Sequence, residues 1–427
     1  MIRLTPWRHP LSATVTVPGD KSLTHRGILF AAVASGVSRV TGWLDAQDTR
    51  SSLRLVQQLG VEVKELTPET LVLESPGLFG LREPEDVVDC GNSGTTIRLA
   101  AGLVSAVPGL TVFTGDVSLR KRPMRRVLEP LASLGVRSLA RQDGYAPFAV
   151  AGGPHQGGTV EMTVASAQVK SSLLLAGLSA SDPLTVREPV ASRDHTERLL
   201  AYLGVPIRVT GTTVTVEPVS RVDPLDFAVP GDPSSAAFWA ALAALLPDSR
   251  LYLPHLLLNP TRTGFFQVLE RMGASVRSTV VQTAPEMVGD VEILPGRLTA
   301  TRVTAEDVPS LIDEIPLVAL LATQAEGVTE IQGAHELRVK ESDRIQVTAD
   351  ILSRMGAAVE PRPDGFRIEG PTRLKGAEID AHGDHRMAML AAVAAAIADG
   401  ETVIHGAEAV AISYPGFMAQ YAQNAGR

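Results

Sequence analysis

The sequence predicts an α/β protein of two domains, each built from three repeats of a βαβαββ-like unit. Three observations predict it. A polar turn followed by an apolar helix occurs six times, at a spacing of roughly 65 to 80 residues, the mark of a repeat architecture. Behind five of these helices runs an amphipathic segment that stops at Gly and turns into a strand, as helices closed by a left-handed glycine do. The turn VPGD occurs at both 17–20 and 229–232 and divides the six repeats into two sets of three.

The first apolar helix follows VPGDKSLTHR (17–26) and reads GILFAAVASG. The others are CGNSGTTIRLAAGLVSA (90–106), ASAQVKSSLLLAGLSA (165–180), VPGDPSS (229–235) leading into AAFWAALAALLP, VPSLIDEIPLVALLAT (308–323) and HGDHRMAMLAAVAAAIADG (382–400). In each, Gly, Ser, Asp or Asn stands where the N–H groups of a helix start need acceptors, and an unbroken apolar helix is expected to follow. The amphipathic partners are LRLVQQLGVEV (53–63), VLEPLASLGVRS (127–138), RLLAYLGVPIRV (198–209), FQVLERMGASVRS (266–278) and ILSRMGAAVE (351–360), with FMAQYAQNAGR (417–427) cut short by the C-terminus. Residues 4–17 read as a strand and hairpin entering the first turn, and 36–44 and 62–73 as strands. The domains expected are 19–230 and 1–18 with 231–427, joined at a hinge near 17–20 and 229–232 where the chain crosses twice.

Composition narrows the function. Hydrophobic content of 44% with Gly and Pro spread throughout describes a soluble globular chain, and its apolar runs are too short to span a bilayer. The N-terminal MIRLTPWRHPLSA has no signal-peptide core, which predicts a cytoplasmic location. A single cysteine, Cys90, excludes an internal disulfide. Net charge of −8 argues against nucleic acid as partner, since neutralising phosphate backbones needs a basic face. A local basic pocket remains open to such a chain.

Apolar helices with no polar face must be buried all round, so their capped N-termini are free to emerge together. Each N-terminus carries about half a positive charge. Near them stand Lys21, Ser22, Arg26, Arg98, Arg122, Lys170, Arg193, Lys340, Arg344 and Arg386. Arginine matches carboxylate and phosphate forks with paired hydrogen bonds, and lysine adds a point charge. A net-acidic chain that gathers cations at helix starts is expected to bind small, highly charged anions in a cleft between its domains.

Taken singly, each motif has a plain reading. VPGDKS is a turn plus a cap, and CGNSGTT lacks the Gly-Lys-Ser/Thr ending of a phosphate loop. ELRVKESDR (336–344) is a solvated helix start. HGDHR has no supporting ligand at metal-binding spacing, so no metal is expected. Asp313 and Glu314 differ, because they interrupt an otherwise apolar helix and buried carboxylates need a partner or a task.

Together, VPGDKSLTHR, GNSGT, TGDVSLRKRPM (114–124), SAQVKS (166–171), RDHTE (193–197), NPTRTG (259–264), LRVKESDR and DHRMAM resemble the EPSP synthase family in order and spacing, over nearly the whole chain. The resemblance implies the two-domain enolpyruvyl transferase fold, an inside-out α/β barrel with helix N-termini facing the interdomain cleft. It implies transfer of the enolpyruvyl group of phosphoenolpyruvate to the 5-hydroxyl of shikimate 3-phosphate by addition and elimination, in the shikimate pathway to aromatic amino acids, with no cofactor and a monomeric enzyme. By position in the motifs, Asp313 takes the hydroxyl proton, Glu341 protonates the methylene carbon and Lys21 touches both substrates. Ser22, Arg26, Ser166, Ala167, Gln168, Arg193, Asp313 and Lys340 match contacts to shikimate 3-phosphate. Gly94, Arg122, Gln168, Arg344 and Arg386 match contacts to phosphoenolpyruvate.

The chain departs from the enteric-type pattern at Ile412, where a lysine contact is expected before the final Phe-Pro. SAQVK, RDHTE and NPTRT match the subgroup that tolerates glyphosate, yet Gly94 stands where some tolerant members carry Ala. The sister enzyme acting on UDP-N-acetylglucosamine shares fold and donor, but it uses a cysteine in the loop that here reads GDVSLRKRPM. A ring-shaped DNA clamp would also use six helix-pair units. It requires a basic inner face, which Asp313 and Glu341 among the cations oppose.

Overall fold

The computed structural model describes residues 1–426; the final residue of the FMAQYAQNAGR segment, Arg427, lies outside the described residues. The chain falls into two compact units: a contiguous one, Gly19–Val229, and a split one, Met1–Pro18 with Pro230–Arg427.

Among the described residues of the contiguous unit there are three four-stranded sheets. The first runs in the order Asp226–Ala228, Ser35–Thr41, Thr70–Pro76, Glu62–Leu66, with its first pair parallel and the rest antiparallel. Its neighbours, built on Gly109–Thr114 and Leu184–Arg187, repeat this pattern. Each repeat pairs its sheet with one apolar and one amphipathic helix. The apolar helices are Lys21–Val33, Gly94–Leu103 and Ala167–Gly177, and from their second turn on every residue is buried. The second and third pack so closely that a Cβ added at Gly102 would lie 1.8 Å from the Ser172 carbonyl oxygen. Only glycine permits that approach.

In the split unit the apolar helices are Pro233–Leu245, Ile315–Ala322 and His385–Ile397. Phe238, Trp239 and Leu242 of the first are buried in the core, each contributing about 1.5 to 3 kcal/mol by leaving water. Two four-stranded sheets repeat the pattern of the other unit. The third sheet has three strands among the described residues, Ile2–Leu4, Thr402–His405 and Glu378–Asp380. The chain's own N-terminal strand supplies the antiparallel partner, Ile2 opposite Ile404.

The amphipathic helices end at Gly60, Gly135, Gly204, Gly273 and Gly356, all at φ between 73° and 109°. That left-handed turn reverses the chain into the next strand. Two expectations need correction. Residues 4–17 do not form a hairpin: Ile2–Leu4 and Ser12–Thr14 join different sheets, because each completes an edge of its own repeat. The segment 308–323 is not one helix. It runs as Val308–Leu311, a 3₁₀ turn Ile312–Glu314, and then Ile315–Ala322, in which Pro316 lies in the first turn, where its missing N–H costs nothing. Asp313 and Glu314 therefore precede the buried helix rather than interrupt it. The described strands fall into six sheets, one for each repeat.

Candidate active site

In the contiguous unit, the Asp20 side chain caps the first apolar helix by accepting from the Leu23 N–H at 2.8 Å. This sets Lys21 and Ser22 in the first turn and Arg26 one turn further on. Lys21 Nζ lies 2.9 Å from Asp48 Oδ2, and His25 Nε2 is 3.9 Å from the same oxygen. Burial works against the Asp48 carboxylate, but the adjacent Lys21 ammonium outweighs it and holds its pKa well below the usual range. Burial lowers the His25 pKa, so the ring is held neutral, and Asp48 offsets only part of this. Behind it, His25 Nδ1 meets Ser52 Oγ at 2.8 Å, Ser52 meets Thr96 at 2.8 Å and Thr96 donates to Ser93 at 2.7 Å. A chain of hydroxyls thus ties the first helix start to the second.

Arg26 donates to Thr196 Oγ1 and Ser171 Oγ, both at 2.8 Å. Ser166 caps the third apolar helix, and Ala167 begins it. Gln168, in its first turn, accepts from Arg98 at 2.6 Å and donates to Thr95 Oγ1 at 3.1 Å. Arg122 donates to Asn92 Oδ1 at 3.0 Å. A Cβ at Gly94 would stand 3.0 Å from Arg98 Nη1 and 3.1 Å from Arg122 Nη1, so the glycine leaves these two guanidinium groups room beside a helix N-terminus. Arg193 is half-buried in a loop that buried Lys170 anchors through Glu188 at 2.7 Å and Glu197 at 2.6 Å.

In the split unit the centre is Arg344, at the start of a helix capped by Asp343. Its side chain is 1% exposed and reaches three carboxylates: Asp384 Oδ2 at 2.8 Å, Glu341 Oε2 at 2.7 Å and Asp313 Oδ1 at 3.3 Å. Burial works against the charged guanidinium, but these acids more than compensate, and its pKa is raised. The Asp384 carboxyl, disfavoured by burial, is lowered in turn by Arg344. Lys340 Nζ stands 3.3 Å from the same Asp313 oxygen. Arg386 Nη1 lies 3.5 Å from Glu314 Oε1, which also accepts from Ser234 Oγ.

The structure therefore gathers Asp313, Lys340, Glu341 and Arg344 into one cluster, with Arg386 on the adjoining acid Glu314. In the other unit it links Ser22 and Arg26, as Arg26 Nη1 donates to the Ser22 carbonyl at 3.0 Å, and joins Gly94, Arg122 and Gln168 around Arg98. Lys21 and Ser166 stand at helix starts of the same unit. Two acids that shape these clusters escaped sequence reasoning. Asp48 belongs to QDTRSSLRL, yet its spacing to Ser52 and Leu55 puts it on the buried face of that helix, a detectable signal. Asp384 was legible as a cap for its own helix but not as the partner of Arg344, forty residues away. Among the described residues no group of three or more His, Cys, Asp or Glu could hold a metal ion.

Comparison with known proteins agrees in kind. The family described as EPSP synthase (3-phosphoshikimate 1-carboxyvinyltransferase) matches residues 7–421. A 3-phosphoshikimate 1-carboxyvinyltransferase of Herpetosiphon aurantiacus is 46% identical over 97% of each chain. One from Anaeromyxobacter sp. is 49% identical over 96% of this chain and 95% of its own. Among solved structures, an EPSP synthase from Acinetobacter baumannii superposes with a TM-score of 0.88 at 38% identity, covering 99% of this chain and 97% of its own. The enolpyruvyl transferase NikO of Streptomyces tendae shares the fold, with a TM-score of 0.78 at 20% identity, 99% of this chain and 96% of the other being covered. With repeats, motifs and relatives in agreement from one end to the other, the chain belongs to the EPSP synthase family.

Proposed function

We propose that this chain transfers the enolpyruvyl group of phosphoenolpyruvate to the 5-hydroxyl of shikimate 3-phosphate and releases phosphate. The observation that carries this reading is Asp313, a carboxylate 3.3 Å from both Lys340 and Arg344, with Glu341 on the same arginine at 2.7 Å. In the addition step the 5-hydroxyl attacks C2 and gives its proton to Asp313, while the methylene carbon takes a proton from Glu341. In the elimination the Glu341 carboxylate takes a proton back from the methyl carbon, the double bond is restored, and the C–O bond to phosphate breaks, with the proton held on Asp313 passing to the departing phosphate. Each step therefore needs an acid and a base.

The ion pairs hold both acids beside the cations that would receive the substrates: Arg344 pairs with Glu341 at 2.7 Å, and Lys340 and Arg344 with Asp313 at 3.3 Å. Substrate carboxylate and phosphate groups would compete with Asp313 and Glu341 for these same cations. Lys21 serves both substrates. Ser22, Arg26, Ser166, Ala167, Gln168, Arg193 and Lys340 hold shikimate 3-phosphate, while Gly94, Arg122, Gln168, Arg344 and Arg386 receive phosphoenolpyruvate. Each charge-assisted hydrogen bond is worth about 1.5 to 3 kcal/mol. The enzyme works as a monomer in the cytoplasm, without nucleic acid or membrane; no described helix is long and apolar enough to cross one.

The sister reaction on UDP-N-acetylglucosamine is the competing reading. Cys90 is fully buried, and burial pushes its thiol pKa up, which suits a packing role rather than that of a reactive loop cysteine. Phosphate release with phosphoenolpyruvate and either acceptor separates the two. Turnover with shikimate 3-phosphate and none with the UDP-sugar is expected; the reverse would overturn the assignment.

A further inference from the structure

Of the two acids in SLIDEIPL, the proposed chemistry uses Asp313 and leaves Glu314 without a task. Glu314 is 2% exposed and stands at the start of the buried helix Ile315–Ala322. Its Oε1 accepts from Ser234 Oγ, which in turn accepts from Arg262 Nη2 at 3.0 Å. Arg262 also reaches Asp232, at 3.1 Å, and so has an acid of its own. Arg386 is 8% exposed, and Glu314 faces it at 3.5 Å. Arginine stays charged when buried, so the carboxylate beside it supplies the charge that water would otherwise screen.

We propose that Glu314 is a positioning residue for the phosphoenolpyruvate subsite, holding the Arg386 guanidinium in place through its charge while Ser234 fixes the carboxylate. The inference rests on the reading of Arg386 as a phosphoenolpyruvate contact. The separation of 3.5 Å is longer than a good hydrogen bond, so Glu314 restrains Arg386 without using up a donor. Arg386 is thereby left with its forked N–H groups for a ligand carboxylate or phosphate. Glu314 Oε2 accepts no hydrogen bond from the described residues, an arrangement suited to a group kept for its charge. Burial, with Asp313 beside it, leaves the Glu314 pKa raised, and Arg386 and Arg262 limit that rise by favouring the charged form.

The test is steady-state kinetics of Glu314→Gln, which keeps the shape and removes the charge, and of Ser234→Ala, which removes the bond that orients it. Glu314→Gln is expected to raise KM for phosphoenolpyruvate about tenfold, and Ser234→Ala about threefold, with KM for shikimate 3-phosphate within about twofold of the parent in both. A purely structural role lowers the active fraction and leaves both Michaelis constants where they were. That outcome, or an equal rise in both, overturns the proposal; if Glu314→Gln does not fold, Ser234→Ala decides alone. Arg386→Gln is the control. Should it leave KM for phosphoenolpyruvate unchanged, the subsite reading fails and the inference with it. Should it raise that constant while the Glu314 and Ser234 variants do not, the inference alone fails.

Discussion

The two units solve different electrostatic problems with the same repeat. In the contiguous unit, Lys21 and Lys170 sit on carboxylates, but Arg26, Arg98 and Arg122 donate to oxygens of Ser, Thr, Gln and Asn. In the split unit, Arg344, Arg386, Lys340 and Arg262 each face a carboxylate. A cation held by an acid shares its charge with that acid and favours the acid's charged form. On the function proposed above, the difference amounts to a division of labour: both units offer cations to the anionic substrates, and the split unit alone adds the two acids that would move protons.

Removing a proton-transfer group should have the largest effect. Asp313→Ala is expected to lower kcat by about 10² to 10⁴ in a phosphate-release assay, the range of general acid–base catalysis. Near-parental turnover would take Asp313 out of the mechanism. Asp384→Ala strands Arg344 in the core and should cost about 3 to 5 kcal/mol in urea unfolding; a loss below 1 kcal/mol would mean that Glu341 and Asp313 suffice to hold Arg344. On the binding side, Arg26→Lys should cost a smaller about 1.5 to 3 kcal/mol, read as a rise in KM for shikimate 3-phosphate with kcat less affected. The mildest change is Gly94→Ala. Its methyl group would press on Arg98 and Arg122 at 3.0 and 3.1 Å, and a severalfold rise in KM for phosphoenolpyruvate is expected. An unchanged constant would show that both guanidinium groups yield freely.

The pH dependence of stability sharpens the same contrast. His25 is buried with a lowered pKa, so its contribution is present above the unfolded value of 6.5 and is lost as pH falls through that value towards the folded one. Unfolding midpoints in urea should therefore fall between about pH 7 and 5, and His25→Asn should flatten the slope. An identical slope would assign the loss to other groups.

Much of the fold was legible because its signals are local. Asp20, Ser93, Ser166, Asp232 and Asp384 cap the helices that the sequence marks, and glycines end the amphipathic ones. The fifth repeat was misread because its apolar run extends across a break: Glu314 stands at the cap position without making a cap bond, and the preceding turn tightens into a 3₁₀ helix. At the sites, the cations were visible at helix starts and Asp313, Glu314 and Glu341 stood out among the acids, whereas Asp48 and the pairing of acid with cation did not. Asp48, Asp384 and Glu314 meet Lys21, Arg344 and Arg386 across 27, 40 and 72 residues, distances that only the stacking of repeats closes.

Calorimetric binding of shikimate 3-phosphate to Arg26→Lys and Asp313→Ala, measured side by side, tests the division of labour most directly. The account predicts that Arg26→Lys weakens binding at least about tenfold, while Asp313→Ala stays within about threefold of the parent protein. Equal losses, or the opposite order, would contradict it.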